Sequence, residues 1–315
     1  MIAGRLYGSI IALRNSLFDH EILRPRKLRW PVVSVGNISV GGSGKTPFVI
    51  TLGQLLAQKG VSVDVLSRGY RRVTTGVLTV RRDGSPEEFG DEPLLIARKL
   101  GCAVVVGEDR HAAGFEAEDR HSLAASNRMH LLDDGFQHRQ LHRDFDIVLL
   151  NREDLDDKVL PSGRLREPLT SLARADAIVV DKNFPAERVP GGGFQVWRTE
   201  RALDIPELNF PVVAFCGIAR PQRFFSDLRN SGADVREEIT FRDHHRYTES
   251  DVERLINSQV HFPGSRFVTT EKDAINLGEH LATLDPIAIS MRMKLADPET
   301  AINHILRTVA ERRAA

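Results

Sequence analysis

Six short apolar runs within the first 182 residues constrain the fold of this chain more than any other feature of its sequence. Most of them are apolar on both faces, and helical segments such as 46–59 and 91–100 alternate with them. This alternation is typical of a mostly parallel sheet covered by helices on both faces, which predicts the α/β class. The runs are PVVSVGN (31–37), VSVDVLSRG (61–69), CAVVVGED (102–109), MHLLDD (129–134), DFDIVLLN (144–151) and DAIVVDK (176–182).

The composition of the sequence changes at 183–207. This segment is rich in proline and glycine and contains one short strand-like piece, FQVW. We predict a linker here. A second series of strands and helices follows, so the 315 residues are expected to form two units, the second one smaller. Thr248 is a predicted N-cap, and Asp251 stands where it would complete a capping box. The helices predicted in this second series cover 221–231, 249–258 and 297–313.

Composition excludes several classes of protein. The 43 acidic and 43 basic side chains balance, so nucleic acid is not an expected partner. Cys102 and Cys216 are two isolated thiols in or beside apolar runs, which make neither a disulfide framework nor a zinc site and favour a reducing, cytosolic setting. No stretch reaches the roughly eighteen apolar residues of a membrane-spanning helix.

The N-terminal segment predicts an amphipathic helix. The first 30 residues carry six basic and two acidic side chains, a surplus that suits a helix lying in an anionic membrane surface. The same spacing equally fits a helix packed on the protein's own core. Its apolar stripe consists of Ala3, Leu6, Tyr7, Ile10, Leu13 and Leu17.

The segment SVGGSGKT at 39–46 lies between the first apolar run and a helical segment. It fits the phosphate-binding loop pattern G-x-x-x-x-G-K-[ST], except that Ser39 replaces the first glycine. The loop N–H groups and the helix N-terminus would bind phosphate oxygens, Lys45 would neutralise the β- and γ-phosphates, and the Thr46 hydroxyl would hold Mg²⁺. A glycine-rich turn without a ligand is the alternative. The predicted nucleotide-binding residues are Ser39, Val40, Gly41, Gly42, Ser43, Gly44, Lys45 and Thr46.

A P-loop enzyme also needs an acidic residue at the end of a strand to organise magnesium or water. Asp133 and Asp134 leave a short apolar strand and enter a glycine turn, with His138 four residues after Asp134. Carboxylates there would lie at the carboxyl edge of the sheet, where ligands bind. An ordinary solvated turn is the alternative, and the competing strand-end candidates are Asp181, Glu108 and Asp109.

Two later motifs favour ATP over GTP. Guanine-specific P-loop proteins usually carry [NT]-K-x-D, and neither DKNF at 181–184 nor TEKD at 270–273 has that order. ATP is therefore the predicted nucleotide, with Mg²⁺ as the predicted metal ion.

Six motifs in order resemble those of the tetraacyldisaccharide 4'-kinase family, the lipid A 4'-kinases of Gram-negative bacteria. The resemblance runs from the N-terminal helix to about residue 273, and a serine at position 39 is common in this family. One motif alone would be weak evidence, but six in order are highly specific. They are VGNISVGGSGKTP (35–47), SRGYRR (67–72), GDEP (90–93), DDGFQH (133–138), FRDHH (241–245) and TTEKD (269–273).

The resemblance implies a kinase that uses ATP and Mg²⁺ to phosphorylate the 4'-hydroxyl of tetraacyldisaccharide 1-phosphate, the lipid A disaccharide precursor, and so forms lipid IVA. It also implies a peripheral protein at the cytoplasmic face of the bacterial inner membrane, in contact with that surface through its N-terminal helix. We expect a monomer. The implied organisation is an amphipathic helix over 1–28, a P-loop core over 29–182, a linker with a β-ribbon over 183–207 and a smaller α/β domain over 208–315.

The resemblance also implies a general base. Asp91 of GDEP would take the proton of the sugar hydroxyl, with His244 of DHH, or alternatively His245, positioning it across the cleft between the domains. Without the family, Asp91 is an acidic residue at a helix start, which is more often a partner of the helix dipole. His244 alone would be a solvated loop histidine.

The remaining implied roles belong to the carboxylates and cations near the phosphates. Asp133 and Asp134 would together organise magnesium and the phosphates, with Asp133 beside Thr46 as the metal ligand and Asp134 as a catalytic residue, although the division of roles between the two aspartates stays open. His138 would support the site as a further catalytic residue. Arginines near the loop would contact phosphates or form surface ion pairs. These candidates are Arg68, Arg71 and Arg110.

A second class of function fits part of the same pattern. A membrane-associated P-loop ATPase that acts as a switch or recruits a partner would need only the N-terminal helix and SVGGSGKT. The GDEP and DHH motifs discriminate between the two classes, because a switch needs no base for a sugar hydroxyl.

Overall fold

Strands and helices alternate along most of the chain. A computed structural model describes residues 2–120 and 127–314. The helices are α1 (Ile2–Asp19), α2 (Lys45–Gln58), α3 (Pro86–Phe89), α4 (Asp91–Leu100), α5 (Arg110–Asp119), α6 (Pro221–Asn230), α7 (Glu249–Val260), α8 (Glu271–Asn276), α9 (Leu281–Leu284) and α10 (Pro298–Ala314). The strands are β1 (Val32–Asn37), β2 (Ser62–Ser67), β3 (Leu78–Thr79), β4 (Val104–Val106), β5 (Arg128–Asp133), β6 (Phe145–Leu149), β7 (Ala177–Asp181), β8 (Gln195–Asp204), β9 (Val212–Cys216), β10 (Val235–Thr240), β11 (Arg266–Thr270) and β12 (Ile287–Leu295).

These strands form one sheet in the order β10-β9-β11-β12-β8-β7-β6-β1-β5-β2-β4-β3. Seven neighbouring strands run parallel to one another: β8, β7, β6, β1, β5, β2 and β4. The short strand β3 pairs antiparallel with β4 at the edge of the sheet. Strands β12, β11, β9 and β10 also run parallel to one another. The antiparallel pair β8–β12 joins the two series, which we call the first half and the second half of the sheet. The predicted α/β class with a mostly parallel sheet is confirmed.

The first half of the sheet is buried on both faces, as its continuous apolar runs predict. Every residue of β1 and of β6 is buried, and separate apolar clusters cover the two faces. One cluster combines Phe48 and Leu52 of α2 with Ile302 and Ile305 of α10. The C-terminal helix, at the end of the predicted 208–315 unit, therefore packs against the P-loop half. The domain boundaries as a whole stay a prediction.

Two strands differ from the sequence-based expectation. The piece FQVW predicted one short strand, whereas β8 is ten residues long, and β12 was not predicted. Both strands mix buried, half-buried and exposed side chains, so they lack the continuous apolar runs that mark most of the other strands. The exposed side chains of β12 include Arg292 and Lys294. By contrast, the capping box of Thr248 and Asp251 at the start of α7 is confirmed.

Helix α1 packs on the first half through polar side chains. The Arg14 guanidinium donates hydrogen bonds of 3.1 Å to the carbonyl oxygen of Gln137, and Asn15 Nδ2 donates to Glu167 Oε2 at 2.9 Å. Phe18 is buried beneath them. One face of the helix thus belongs to the protein's own core, as one of the two predicted alternatives requires.

Another face of α1 exposes apolar side chains. Ile10 is 57% exposed and Leu13 is 63% exposed. The side chains of Ala3 and Leu6, which belong to the predicted stripe, lie outside the described part of the structure. None of the described helices has both the length and the apolar character that crossing a bilayer requires.

We predict that Phe145→Ala lowers the free energy of unfolding by about 3–5 kcal/mol, because it removes a fully buried ring from the first half. The Phe145 ring stacks on Trp197 of β8 at 6.0 Å between centroids and meets the His304 ring edge-on at 5.3 Å. Urea unfolding monitored by circular dichroism measures the change. Phe115→Ala, at a ring that is 61% exposed, is the control and should cost under about 0.5 kcal/mol. Equal losses in the two variants would contradict this account of the core.

Candidate active site

The predicted phosphate loop connects the end of β1 with the start of α2. Gly41 has φ 108° and Gly44 has φ 84°, backbone conformations that residues with a Cβ atom rarely adopt. Residues 40–46 line a cavity, whereas Ser39 is buried outside its lining. Because β1 lies between β5 and β6 while the chain continues from β1 to β2, the loop stands where the strand order reverses, the usual ligand position in such sheets.

Lys45 is held at the mouth of this loop by oxygen atoms. Its Nζ donates to Asn37 Oδ1 at 3.1 Å and to Ser43 Oγ at 3.5 Å, and it lies 3.4 Å from Asp134 Oδ1. The lysine side chain is 14% exposed. Its charge is therefore directed into the cavity side of the loop, where an anion would replace or join these partners.

The carboxylate of Asp134 accepts hydrogen bonds from a second cation. Arg166 Nη1 donates to both Asp134 oxygens, at 3.0 and 2.9 Å. Burial favours the protonated acid, but Lys45 and Arg166 outweigh it and lower the pKa of Asp134. The same arginine donates to Gln137 Oε1 at 3.3 Å, and its backbone N–H donates to the carbonyl oxygen of Ile38 at 2.6 Å, so Arg166 links the turn after β5 to the segment that leads into the phosphate loop.

Asp133, at the end of β5, has a different environment. Its Oδ2 accepts a hydrogen bond of 3.1 Å from Ser67 Oγ, while its buried Oδ1 has no hydrogen-bond partner among the residues that the structure describes. Burial, together with the carboxylates of Glu92 and Asp134, raises the pKa of Asp133 to about 7. A buried carboxylate oxygen without a donor is suited to a cation.

Thr46 and Asp133 fit the needs of Mg²⁺. Within the described residues, no group of three or more His, Cys, Asp or Glu side chains is placed to hold a metal ion. Magnesium usually takes only one or two protein oxygens, and water and phosphate oxygens complete its shell. The buried hydroxyl of Thr46 and the free Asp133 oxygen supply that many.

The cavity has a volume of about 1020 Å³ and lies between the two halves of the sheet. The first half contributes the phosphate loop, Asp133 and Asp134. The second half contributes the segment after β9, the loop after β10, the start of α8, and β12. Helix α1 also reaches it, through Tyr7, Ile11 and Arg14. The phosphate loop, Asp133, Asp134 and the N-terminal helix therefore all border one cavity.

Asp91 and His244 meet across the boundary between the halves. His244 Nδ1 lies 2.8 Å from Asp91 Oδ2, and Asn276 Nδ2 donates to the same oxygen at 3.1 Å. Burial disfavours the charged carboxylate, but the His244 hydrogen bond and the Lys272 charge outweigh it and lower the pKa of Asp91 to about 2. His244 lines the cavity, and Asp91 is buried, 4% exposed, beside it.

The backbone around His244 is strained and held from both halves. His244 has φ 57°, and its N–H donates to the carbonyl oxygen of Gly217 at 3.1 Å. Arg71, also at a positive φ, donates to the carbonyl oxygens of Asp243 and His244 at 2.9 and 3.2 Å. Non-glycine residues in this region of φ cost about 1–3 kcal/mol each and are enriched at functional sites.

The other predicted candidates have different environments. His245, the alternative partner of Asp91, bonds to Asp251 Oδ2 at 2.9 Å instead. His138 lies in the turn after β5, outside the cavity lining, and burial with the charges of Arg110 and Arg143 lowers the pKa of His138 to about 4.

The candidate arginines and the competing carboxylates differ in whether they border the cavity. The cavity lining includes Arg68, Arg71 and Asp181, whereas Arg110 is buried outside it. Asp109 caps the start of α5 and accepts a hydrogen bond from Arg26 at 2.6 Å, which is a structural arrangement.

The sequence alone did not identify several residues of the site. Asn37, Gln137 and Lys272 lie inside quoted motifs, which was the only signal for them. Arg166 and Asn276 lie in no motif. They reach Asp134 and Asp91 from segments 32 and 185 residues away in sequence, a distance that no local pattern bridges.

Comparison with known proteins agrees with this geometry. A family model described as tetraacyldisaccharide-1-P 4'-kinase matches residues 1–310. The tetraacyldisaccharide 4'-kinase of Koribacter versatilis is 48% identical over 98% of both chains, and that of Aquifex aeolicus is 42% identical over 86% of this chain and 87% of the relative. The crystal structure of LpxK from Aquifex aeolicus in complex with ATP matches with a TM-score of 0.80 and 38% identity, over 97% of each chain. The chain therefore belongs to the tetraacyldisaccharide-1-P 4'-kinase family.

Proposed function

We propose that this chain is an ATP-dependent kinase that transfers the γ-phosphoryl group of ATP to the 4'-hydroxyl of tetraacyldisaccharide 1-phosphate. The product would be lipid IVA, a precursor of lipid A. Family membership supports the acceptor, and the likeness to an ATP-bound crystal structure supports the nucleotide.

One observation carries the proposal. Lys45 of the phosphate loop and His244, which is hydrogen-bonded to Asp91, border the same cavity. A kinase for an alcohol needs a phosphate-binding group and a nearby proton acceptor, and here the histidine that contacts the candidate acceptor Asp91 borders the same space as Lys45. An ATPase that serves only as a switch has no use for the second group.

The phosphate loop would position the nucleotide. Its N–H groups and the N-terminus of α2 would bind the triphosphate, and Lys45 would neutralise charge on the β- and γ-phosphates. Thr46 and Asp133 are the residues we propose to hold Mg²⁺, which when bound neutralises phosphate charge and orients the γ-phosphoryl group. Positioning and charge neutralisation provide most of the rate in phosphoryl transfer.

Asp91 would accept the proton of the sugar hydroxyl, and His244 would orient it. A carboxylate with a pKa of about 2 is a weak base. A weak base suffices here, because the loose transition state of phosphoryl transfer requires little attack by the hydroxyl oxygen before the bond to the leaving group has weakened. The position of the cavity between the halves would exclude water, which otherwise competes with the hydroxyl.

A direct assay tests the proposal. The protein is incubated with γ-labelled ATP, Mg²⁺ and the disaccharide lipid acceptor, and the lipid products are separated. We expect label in a lipid that carries one additional phosphate. Label released only as inorganic phosphate, at the same rate with and without acceptor, would favour the ATPase switch.

We predict that Lys45→Met lowers the rate of transfer at least about 100-fold, because the neutral side chain no longer stabilises charge on the phosphates. The steady-state rate with labelled ATP measures it. Lys59→Met at the other end of α2 is the matched control, since the Lys59 side chain forms a surface ion pair with Glu299 at 3.4 Å, far from the loop. A Lys45→Met enzyme with full activity would refute the phosphate-loop assignment.

We predict that Asp91→Asn lowers kcat by about 10²- to 10⁴-fold while the protein still binds ATP, because the amide cannot accept the proton. Transfer assays and calorimetric titration with ATP measure the two effects. Asp83→Asn, at an exposed turn, is the control. Normal transfer by the Asp91 variant would exclude Asp91 as the base.

We further propose that α1 lies in an anionic membrane surface, at the cytoplasmic face of the inner membrane. Its exposed apolar side chains continue beyond the helix at Ile22 and Leu23, which are 68% and 42% exposed. The basic segment RPRKLR follows directly. Because α1 also borders the cavity, a lipid acceptor could reach the site while its acyl chains stay near the bilayer.

We predict that replacing Ile10 and Leu13 with Asp reduces binding to anionic lipid vesicles, as does removal of residues 1–23. The point variants keep the polar contacts of Arg14 and Asn15, so α1 should remain docked. Sedimentation with vesicles measures the bound fraction. Val260→Asp is the control, because this exposed apolar residue lies on α7 in the second half. Unchanged sedimentation of the Ile10 and Leu13 variant would count against the membrane role.

A further inference from the structure

The last residue of the motif TTEKD has no role in the proposed reaction, yet its carboxylate is fully buried in the second half. Asp273 Oδ1 accepts hydrogen bonds from the Gly217 N–H at 2.7 Å and from the Tyr247 hydroxyl at 2.9 Å. Its Oδ2 accepts a hydrogen bond from the Thr270 hydroxyl at 2.6 Å. Gly217 directly follows β9, Tyr247 lies in the loop after β10, and Thr270 ends β11. One carboxylate therefore joins the carboxyl ends of three neighbouring parallel strands.

The loop after β10, residues 241–247, is attached to this carboxylate at two points. The first runs through the backbone, because the carbonyl oxygen of Gly217 accepts a hydrogen bond of 3.1 Å from the His244 N–H. The second is the hydroxyl of Tyr247, three residues after the histidine, which donates directly to Asp273. The backbone of His244 is thus held on both sides of a short segment by contacts that meet at one buried side chain.

The loop packs closely against Gly217. A Cβ atom at Gly217 would lie 2.8 Å from the carbonyl oxygen of Arg242 and 3.0 Å from His245 Cβ, so only glycine fits here without moving the loop. Arg71 binds the same loop from the first half. The positive φ of His244 is a strained conformation, which persists only where surrounding contacts enforce it. Gly217 supplies such a contact from the second half.

Asp273 lies behind the cavity wall. Ile218 and His244 border the cavity, whereas Gly217, Tyr247 and Asp273 lie outside its lining. The carboxylate therefore acts on the site only through the segments that it holds.

A carboxylate in this position is costly to bury. Burial raises the pKa of Asp273, while the hydrogen bonds that it accepts act in the opposite direction. Truncating the side chain would leave the buried N–H of Gly217 without its acceptor, which is the expensive way to lose a hydrogen bond. Gly217 would then gain by turning away from its present position, and the contact with the His244 N–H would change with it.

We propose that Asp273 is a positioning residue, which keeps His244 in contact with Asp91 by holding Gly217 and Tyr247 from behind the cavity. Its importance for catalysis rests on the proposed kinase function. The imidazole meets Asp91 at 2.8 Å, and small displacements of groups at a reaction centre have large effects on rate. The role is one of geometry, so an isosteric side chain that accepts the same hydrogen bonds should replace Asp273.

Hydrogen exchange tests the attachment of the loop without any turnover. We expect backbone amides of 241–247 to exchange about 10-fold faster in Asp273→Ala than in the wild type, because the loop loses both attachments to the carboxylate. Amides of 46–58 in α2 are the internal control and should keep their wild-type rates. Asp273→Asn should protect the loop as the wild type does, since the amide oxygen can still accept from Gly217 and Tyr247.

A double-mutant cycle tests the consequence for the reaction. We expect Asp273→Ala to lower kcat about 10- to 100-fold and to change the Kd for ATP less than about threefold, because the phosphate loop belongs to the first half. In a His244→Ala background the same substitution should cause no further loss, since Asp273 acts through that histidine. Asp273→Asn should restore kcat to within about threefold of the wild type. Asp83→Ala, at an exposed turn, is the matched control.

The outcomes separate this proposal from the proposed function. Unchanged exchange at 241–247, or equally faster exchange in α2, would overturn the role of Asp273. Losses of kcat that add in the double variant would overturn it too, because they would reveal a general effect on the fold. Asp273→Leu, which fills the space without accepting hydrogen bonds, replaces the alanine variant should that variant fail to fold. Absence of transfer by the wild-type protein would instead refute the kinase function, and the exchange result would stand on its own.

Discussion

The hydrogen bond between His244 and Asp91 is the contact on which the site depends. Asp91 begins α4 in the first half, and His244 lies in the loop after β10 in the second half. The first half holds the phosphate loop and Asp91, but the histidine that contacts Asp91 comes from the second half. The 2.8 Å contact therefore makes the relative position of the two halves a condition for the chemistry, and the cavity exists because they meet.

The site concentrates charge and strain that the scaffold must offset. Asp134, Arg71 and His244 all have positive φ, and Asp91 and Asp133 are buried carboxylates. Hydrogen bonds hold the backbone of His244 and the carboxylate of Asp91, whereas Oδ1 of Asp133 has no hydrogen-bond partner among the described residues. The two carboxylates have opposite pKa shifts. Burial and the carboxylates of Glu92 and Asp134 raise the pKa of Asp133, whereas the His244 hydrogen bond and the Lys272 charge outweigh burial and lower the pKa of Asp91. Such divergence is typical of sites that assign different tasks to similar groups.

Local pattern predicted the first half of the fold and the phosphate loop well, because there each strand is an apolar run and each motif is contiguous. All six runs contain strands, and α2 and α4 begin and end within one residue of the predicted segments. The sequence pattern did not predict β12, because its mixture of polar and apolar residues resembles that of a surface segment. It also left open whether His244 or His245 partners Asp91. That choice depends on the turn from Gly217 to the histidine and on α8, which are brought together only by tertiary packing.

The antiparallel pair of β8 and β12 determines how the molecule can move. Six successive residue pairs, from Ser290 with Asp204 to Leu295 with Thr199, join the halves through one uninterrupted ladder. Sliding one half along the strands would break every rung of that ladder. Twisting the ribbon would keep the rungs intact while the far ends of the halves separate. Rotation of the halves about this ribbon would therefore widen or narrow the cavity between them while the ladder stays intact.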